Sequence, residues 1–370
     1  MMNKYVNGSA KLLNGYGSAH TEKIQRGAAL FFFKVLSCFF LTLIVLPNNS
    51  LAQSEAERPL VVATASMFKD MAEVIGGNLI RVESIVSIGG DPHTYEPTPT
   101  DAQLVARADL VLRNGLTFEG WIDELVDNSG FTGRITTITE GIAAIESDEY
   151  ANSADPHAWM SGKNGLIYLR NIRDALVTLA PQYAEEFNFN YGIYRQQLLD
   201  TDQEIAQMLR TIPKNRRILI TSHDAFRYFG ERYGMRVEAV LGTSTDADVQ
   251  TSDIRRLNRI LQETGVPAVF IESTLNPKVL QIIANDNEVI IGGSLYADSL
   301  GEPTGPAGTY LDMLRHNAQT IVEGLTLNKV GNSSDLSPDK NGEKSWLFGI
   351  IIALMLGSFL FMVRQLNRGI

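Results

Sequence analysis

Two copies of one tripeptide are the first sign of chemistry in this chain. An Asp-Pro-His sequence ends at His93 in SIGGDPHTYEPTPTD and recurs, ending at His157, in NSADPHAWM. The chain has only five histidines, so two of them share one local setting. Proline fixes φ and removes a backbone donor, which stiffens the approach to each ring. The repeat therefore predicts two firmly held imidazoles.

Two further metal-ligating side chains follow strand-like runs. His223 ends RILITSH, and Asp298 comes just after EVIIGGSLY. In open α/β sheets, ligands bind at the carboxyl ends of the strands, so these side chains and the two loop histidines can converge. Three imidazoles and one carboxylate suit zinc, manganese or ferrous iron. The lone Cys38 lies in the leader, which excludes disulfides and thiolate metal sites in a mature chain.

Several neighbouring residues are candidates to support these ligands. Asp91, Asp155 and Asp224 are predicted to cap local backbone or to orient imidazole N–H groups. Thr221 and Ser222 are weaker candidates for the same role. The two remaining histidines, His20 and His316, are interpreted as a leader residue and a polar surface residue.

The elements that must position these side chains alternate between strand-like and helical patterns. The strand-like runs are residues 60–66, 81–87, 110–115 and 134–139, followed by 217–223, 236–242, 268–274 and 288–296. The helical patterns include MFKDMAEVIGG, TPTDAQLVARA and DIRRLNRILQETG. This alternation predicts an α/β fold with two lobes, each a parallel four-stranded set of βα units.

Residues 181–212 read as one long helix between the lobes. Pro181 suits a first helical turn and Pro213 limits the far end, while Gly192 offers a point where the helix could break. An unbroken helix of this length spans about 48 Å, which is too long for a crossover inside a lobe. We therefore predict lobes at 58–180 and 213–328, a rigid helix joining them, and a metal site in the cleft between the lobes.

The two ends of the chain contain segments that predict export and membrane anchoring. Residues 1–52 combine basic residues, an apolar run and a small-residue cleavage site, which predicts a secretory signal peptide; an uncleaved anchor is the alternative. Residues 329–345 read as a flexible linker, and residues 346–363 as a transmembrane helix with arginines after it. The net charge of −10 argues against nucleic acid as a partner. We expect an exported domain tethered to the cytoplasmic membrane.

Four motifs together resemble a known family. GGDPHTYEPTPTD, DPHAWM, TSHDAFRYFGERYG and SLYADSLG are similar, in order and spacing, to the ligand motifs of zinc/manganese solute-binding proteins of ABC importers (cluster A-I). The resemblance covers about residues 58–328. It implies that His93, His157, His223 and Asp298 bind one zinc or manganese ion, with ferrous iron also possible. It further implies a monomeric, non-enzymatic protein that delivers the ion to a permease driven by a cytoplasmic ATPase.

The chain departs from the family pattern in ways that leave the metal open. Zinc-dedicated members often have a His-rich loop between the first two motifs, whereas this loop has Glu140, Glu146, Asp148 and Glu149 and no histidine run. Manganese-dedicated members often have Glu at the third ligand position, where this chain has His223. The C-terminal span is also unusual for the family.

An extracytoplasmic metallohydrolase is the alternative function. It would need an open coordination position and a general base, for which Glu272 and Glu96 are the candidates. A structural role is the competing interpretation of each, with Glu272 hydrogen-bonded within its lobe and Glu96 capping the helix that starts near Thr98. For the transport function we expect the long helix to limit lobe motion, so that release depends on rearrangement around His223 and Asp298.

Overall fold

The computed structural model describes residues 58–146 and 154–327. The predicted signal peptide (1–52), linker (329–345) and transmembrane helix (346–363) lie outside these residues, as do Asp148 and Glu149. Within the described ranges, no helix has both the length and the apolar character needed to cross a bilayer.

Four parallel strands form the sheet of the first lobe, in the spatial order β2-β1-β3-β4. The strands are β1 Leu60–Ala63, β2 Arg81–Ser84, β3 Leu110–Arg113 and β4 Arg134–Thr137. Its helices are α1 Ser66–Gly76, α2 Pro99–Ala106, α3 Ile122–Ser129 and α4 Gly162–Leu179. Strand β1 is buried along its whole length, as expected for a central parallel strand covered on both faces. Each strand ends two or three residues before its predicted run does, and the run at 60–66 ends on Ser66, the first residue of α1.

Helix α2 begins with a capping box. The Thr98 side chain accepts a hydrogen bond from Asp101 N, and the Asp101 carboxylate accepts one from Thr98 N at 2.7 Å. Pro99 occupies the first turn, where its missing N–H costs nothing. The hypothesis that Glu96 caps this helix is therefore wrong, and Glu96 is an exposed loop residue.

A single α-helix joins the lobes, as the sequence predicts. A 3₁₀ turn at Pro181–Tyr183 leads into α5, Ala184–Arg210, which has 27 residues and a length of about 40 Å. Gly192 lies inside α5 and does not break it. Helix α5 packs against α1 and α4 of the first lobe and against α9 of the second, so it holds both.

The second lobe contains the four predicted strands, but they pair two by two. The strands are β5 Ile218–Thr221, β6 Arg236–Ala239, β7 Ala268–Glu272 and β8 Ile290–Leu295. Parallel ladders join β5 to β6 and β7 to β8, and β5 lies beside β7 without a ladder. Side-chain packing in one apolar cluster, which includes Ile220 and Val269, connects the two pairs. The lobe's helices are α6 Arg227–Tyr233, α7 Thr251–Thr264, α8 Lys278–Asp286 and α9 Tyr310–Thr326.

The main apolar core extends through both lobes. It includes Met71 of α1, Leu198 of α5, Phe270 of β7 and Leu314 of α9, all of them buried. Because the lobes and α5 share this core, separating the lobes would expose apolar surface to water. The core therefore favours a fixed arrangement of the elements that carry the candidate ligands.

Candidate metal centre

The four candidate ligands lie in loops that follow strands. His93 follows β2, His157 follows β4, His223 follows β5 and Asp298 follows β8. The strand ends bring these loops together between the lobes, as expected for ligands at the carboxyl edges of parallel sheets. His157, His223 and Asp298 are buried, and only 4% of the His93 side chain is exposed.

The ligand atoms of these four residues form one compact cluster. The Nε2 atom of His157 lies 3.1 Å from Nε2 of His93 and 3.3 Å from Nε2 of His223. The Asp298 carboxylate completes the group, with Oδ1 3.3 Å from Nε2 of His157 and Oδ2 3.1 Å from Nε2 of His223. The contact from Asp298 Oδ2 to Nε2 of His93 is longer, at 3.9 Å, and the ligand atoms of all four residues lie within 4.8 Å of one another. All four predicted residues are thus brought together.

This spacing fits a metal ion. A tetrahedral zinc ion at about 2.0–2.1 Å from each ligand separates neighbouring ligand atoms by about 3.3 Å. Two imidazole nitrogens 3.1 Å apart are also unfavourable unless a cation or a proton lies between them. Apart from the imidazoles of the cluster, no described residue donates a hydrogen bond to either oxygen of Asp298, although the side chain is fully buried. A bound cation would satisfy both the carboxylate and the imidazoles.

Each Asp-Pro-His tripeptide folds into the same turn. The Asp91 Oδ1 atom accepts a hydrogen bond from His93 N at 2.9 Å, and Asp155 Oδ1 accepts one from His157 N at 2.9 Å. The aspartate closes a short loop onto the backbone two residues later, as Asx turns do. The prediction that these two aspartates cap the local backbone is confirmed.

Two carboxylates face the second ring nitrogen of a ligand. The Asp155 Oδ1 atom lies 2.8 Å from Nδ1 of His157, and Glu272 Oε2 lies 2.6 Å from Nδ1 of His223. Glu272 also accepts a hydrogen bond from His223 N at 2.9 Å. Such carboxylate–imidazole pairs fix the ring and direct Nε2 toward the metal. Asp155 was predicted to have this role; Glu272 was considered only as a base or a structural residue.

Asp224 does not orient an imidazole. Its carboxylate lies 3.8 Å from Nε of Arg227, and burial raises its pKa to about 6. Among the other candidates, Thr221 donates to the carbonyl of His223 at 2.8 Å, so it supports the backbone of that ligand. The role predicted for Asp224 is filled instead by Glu272, from the neighbouring strand.

Burial and charge move the pKa values of the first-lobe imidazoles in opposite directions. Burial lowers the pKa of His93 to about 3. Burial also acts to lower the pKa of His157, but the carboxylates of Asp155 and Asp298 outweigh it and raise the pKa to about 9. Without a metal ion, His93 is therefore neutral at pH 7 and His157 is charged.

The second-lobe groups form a charged pair. Burial disfavours the charged imidazole of His223, but the carboxylates of Glu272 and Asp298 outweigh it and hold the pKa well above its usual range. Burial likewise raises the pKa of Asp298, yet the imidazoles of His223 and His157 outweigh it and hold that pKa well below its usual range. In the absence of metal, protons occupy the positions that a cation would take.

Aromatic rings enclose the first-lobe side of the site. The Phe118 ring meets His93 edge-on with centroids 5.0 Å apart, and the Trp159 ring lies 5.3 Å from that of His157. The Trp159 Nε1 atom donates to the carbonyl of Ala297, directly before Asp298, at 3.0 Å. Trp159 therefore joins ligand loops of both lobes, a contact between segments that the sequence pattern does not relate.

The remaining predicted residues take other roles. His316 is half-buried on α9, with Nε2 3.3 Å from the carbonyl oxygen of Ser294, and it is not part of the ligand cluster. Of the proposed hydrolytic bases, Glu272 lies behind His223 against Nδ1, away from the ligand cluster, and Glu96 is exposed. Neither carboxylate is placed to activate a metal-bound water, so the metallohydrolase alternative has no support.

Known proteins are similar to this chain in sequence and fold. The family described as zinc-uptake complex component A, periplasmic, matches residues 61–324. The manganese-binding lipoprotein MntA of Halalkalibacterium halodurans is 36% identical over 266 residues, which are 72% of this chain and 88% of that protein. The iron-binding protein YfeA of Yersinia pestis is 34% identical over 302 residues, which are 81% of this chain and 96% of that protein.

A solved structure agrees with this relationship. The periplasmic zinc-binding protein TroA of Treponema pallidum superposes with a TM-score of 0.70 at 31% identity, covering 72% of this chain and 99% of that chain. The fold and the sequence motifs therefore lead to the same conclusion. The chain belongs to the zinc-uptake component A family of metal-binding solute-binding proteins of ABC importers.

Proposed function

We propose that this protein captures a divalent transition metal ion outside the cytoplasm and delivers it to an ABC permease, which a cytoplasmic ATPase drives. The observation that carries the proposal is the meeting of three imidazole nitrogens and one carboxylate, two residues from each lobe, in a buried cluster. A buried site that binds an ion without making or breaking covalent bonds suits capture and release.

The proposed cargo is zinc or manganese, with ferrous iron as a further candidate. His93, His157, His223 and Asp298 are the proposed ligands, and a close set of three imidazole nitrogens and one carboxylate suits zinc. The second oxygen of Asp298 offers a fifth donor, which manganese would use because it prefers more ligands and more oxygen. The relatives named above, which bind manganese, iron and zinc, support the same range of ions.

We propose that the metal-binding domain works as an exported monomer on a membrane anchor. The proposed order is a signal peptide at 1–52, the first lobe at 58–180, the linking helix at 181–212 and the second lobe at 213–328. A flexible linker at 329–345 and a transmembrane helix at 346–363 complete the chain. The uncharged apolar run at 346–363, with arginines after it, supports the C-terminal anchor.

Metal analysis of the purified protein tests the proposal. We expect protein prepared without added metal to contain one equivalent of zinc or manganese by elemental analysis. Calorimetric titration of His93→Ala and His223→Ala should show at least a hundredfold loss of affinity for both ions. His316→Ala is the matched control, because His316 lies outside the cluster, and it should bind as the wild type does. Wild-type affinity in both ligand variants would contradict the proposed site.

A further inference from the structure

One loop of the first lobe contacts both Asp-Pro-His turns. This bridging segment, residues 114–121, connects β3 to α3. At one end, Trp121 Nε1 donates to the carbonyl oxygen of Pro92 at 2.8 Å. At the other end, Asn114 Nδ2 donates to the carbonyl oxygen of Pro156 at 3.0 Å. Each of these prolines directly precedes a ligand histidine, so each hydrogen bond holds the peptide unit from which a ligand projects.

The middle of the bridging segment places a ring against both imidazoles. Phe118 is buried, and its ring meets the rings of His93 and His157 edge-on, with centroids 5.0 and 6.2 Å apart. A close-packed aromatic neighbour limits the rotation of each imidazole. The segment thus acts on the backbone before each ligand and on the ring of each ligand.

The bridging segment is held in a conformation that its sequence does not favour by itself. Gly115, Leu116 and Thr117 have φ values of 79°, 52° and 65°, and the left-handed region is unfavourable for a leucine and a β-branched threonine. Such backbone strain persists where the surroundings fix it, and it is concentrated at functional sites.

A buried carboxylate stabilises this turn. The Glu119 Oε1 atom accepts hydrogen bonds from Asn114 N at 2.7 Å and from Thr64 Oγ1 at 2.5 Å, and Oε2 accepts one from Gly115 N at 3.1 Å. The amide of Asn114 is oriented in turn by Tyr168, whose hydroxyl donates to Oδ1 at 2.5 Å. With Oδ1 engaged in this way, Nδ2 points to Pro156.

We propose that the bridging segment is one positioning device for both first-lobe imidazoles, in which Trp121 positions His93 and Asn114 positions His157. The inference rests on the proposed function, since it concerns the same metal site. It implies that the first-lobe imidazoles, His93 and His157, are already held in their metal-binding positions before the ion binds. Prearrangement matters for manganese in particular, because manganese forms weaker complexes than zinc with the same donors.

Two substitutions test the two hydrogen bonds separately. Trp121→Phe removes the indole donor and keeps an aromatic ring at a half-buried position, and Asn114→Leu removes the amide at similar volume. The matched control is Asn190→Leu, because the Asn190 side chain makes the same kind of bond, from Nδ2 to the carbonyl of Ile75 at 3.1 Å, between α5 and α1. If Asn114→Leu does not fold, Trp121→Phe still tests the proposal.

The measurements are manganese and zinc affinity, the visible spectrum of the cobalt-loaded protein, and imidazole ¹⁵N chemical shifts without metal. We expect each variant to lose about tenfold in affinity for both ions, with an altered cobalt spectrum. In metal-free protein, Trp121→Phe should shift the His93 signals and Asn114→Leu those of His157. Asn190→Leu should lower thermal stability and leave all three readouts unchanged.

Several results would overturn the inference. Wild-type affinities, spectra and imidazole shifts in both variants would show that the two hydrogen bonds do not position the ligands. An equal loss of affinity in Asn190→Leu would show that the losses come from a general destabilisation of the fold and not from the positions of the two imidazoles. The metal-free shifts distinguish the two proposals: if the wild type binds no metal but each variant still moves its own imidazole, the proposed function fails and the positioning role stands.

Discussion

The imidazoles of the cluster differ in charge because they differ in their neighbours. His157 and His223 each face a carboxylate at Nδ1, whereas burial dominates at His93. The protonated forms of His157 and His223 are therefore favoured when no metal is bound, whereas His93 stays neutral. Metal binding must displace both protons, since a protonated nitrogen has no lone pair to donate.

This charge state predicts proton release on metal binding. The pKa of His157 is raised to about 9 and that of His223 lies well above its usual range, while the pKa of His93 is about 3. Protonated imidazoles must lose their protons for the ion to bind, so the apparent affinity should rise with pH up to the pKa of His157, at about 9, by at least about tenfold for each pH unit. Calorimetry at pH 7 in buffers of different ionisation enthalpy should show that at least one proton is released per ion. An affinity that does not change between pH 6 and 8 would contradict this charge state.

The pairing of Glu272 with His223 leads to a second prediction. Glu272→Gln keeps the size of the side chain and an acceptor for His223 N, but it removes the negative charge beside Nδ1. The imidazole then becomes a weaker donor to the metal, and the affinity should fall about ten- to a hundredfold. Glu238→Gln is the matched control, because Glu238 pairs with Arg236 and Arg256 instead of a ligand. Equal metal affinity in the two variants, by competition with a chelator, would refute the role of Glu272.

At the level of secondary structure, the sequence predicts most of what positions the ligands. Among the described residues, alternating apolar patterns identify the eight strands and the linking helix, and the strand ends bring the four candidate ligands together because parallel strands share a carboxyl edge. The two-by-two pairing in the second lobe is not predictable, since apolar runs do not indicate which strands form a ladder. The contacts of Glu272 with His223 and of Asn114 with Pro156 join segments far apart in sequence, so no local pattern predicts them.

Helix α5 offers a test of the linking element. Gly192 lies on its exposed face, with open space around the position of an added Cβ atom. Gly192→Ala should therefore stabilise the protein by about 0.5–1 kcal/mol, because alanine loses less backbone entropy on folding. In α6, a Cβ atom on Gly230 would lie 2.8 Å from the carbonyl oxygen of Met235, so Gly230→Ala should destabilise. Denaturant unfolding measures the free energy of unfolding of both variants. A loss of stability in Gly192→Ala would indicate that α5 is not a continuous helix.

At the scale of the whole molecule, hydrogen bonds beside the site connect the lobes. The Ser299 hydroxyl, next to Asp298, accepts a hydrogen bond from Gly89 N at 2.8 Å, and Thr245 Oγ1 donates to Asp91 Oδ2 at 2.6 Å. Away from the site, Asp70 on α1 accepts a hydrogen bond from Tyr310 N at the start of α9, at 3.0 Å. Together with the shared apolar core and α5, these contacts oppose a hinge rotation.

Metal release should therefore proceed with little change in the distance between the lobes. Spin labels on exposed positions of the two lobes, such as Lys163→Cys on α4 and Glu263→Cys on α7, report that distance by pulsed electron resonance. Protein that begins at residue 53 has no native cysteine, so the introduced cysteines are the only labelling sites. We expect the mean distance to change by less than about 3 Å between metal-bound and metal-free protein, since a rotation would expose the core that both lobes share. A larger change in this distance would mean that the shared core and α5 allow the lobes to rotate, and that the site opens by hinge motion. An unchanged distance would place the opening in the loops that carry His223 and Asp298, as the sequence led us to expect.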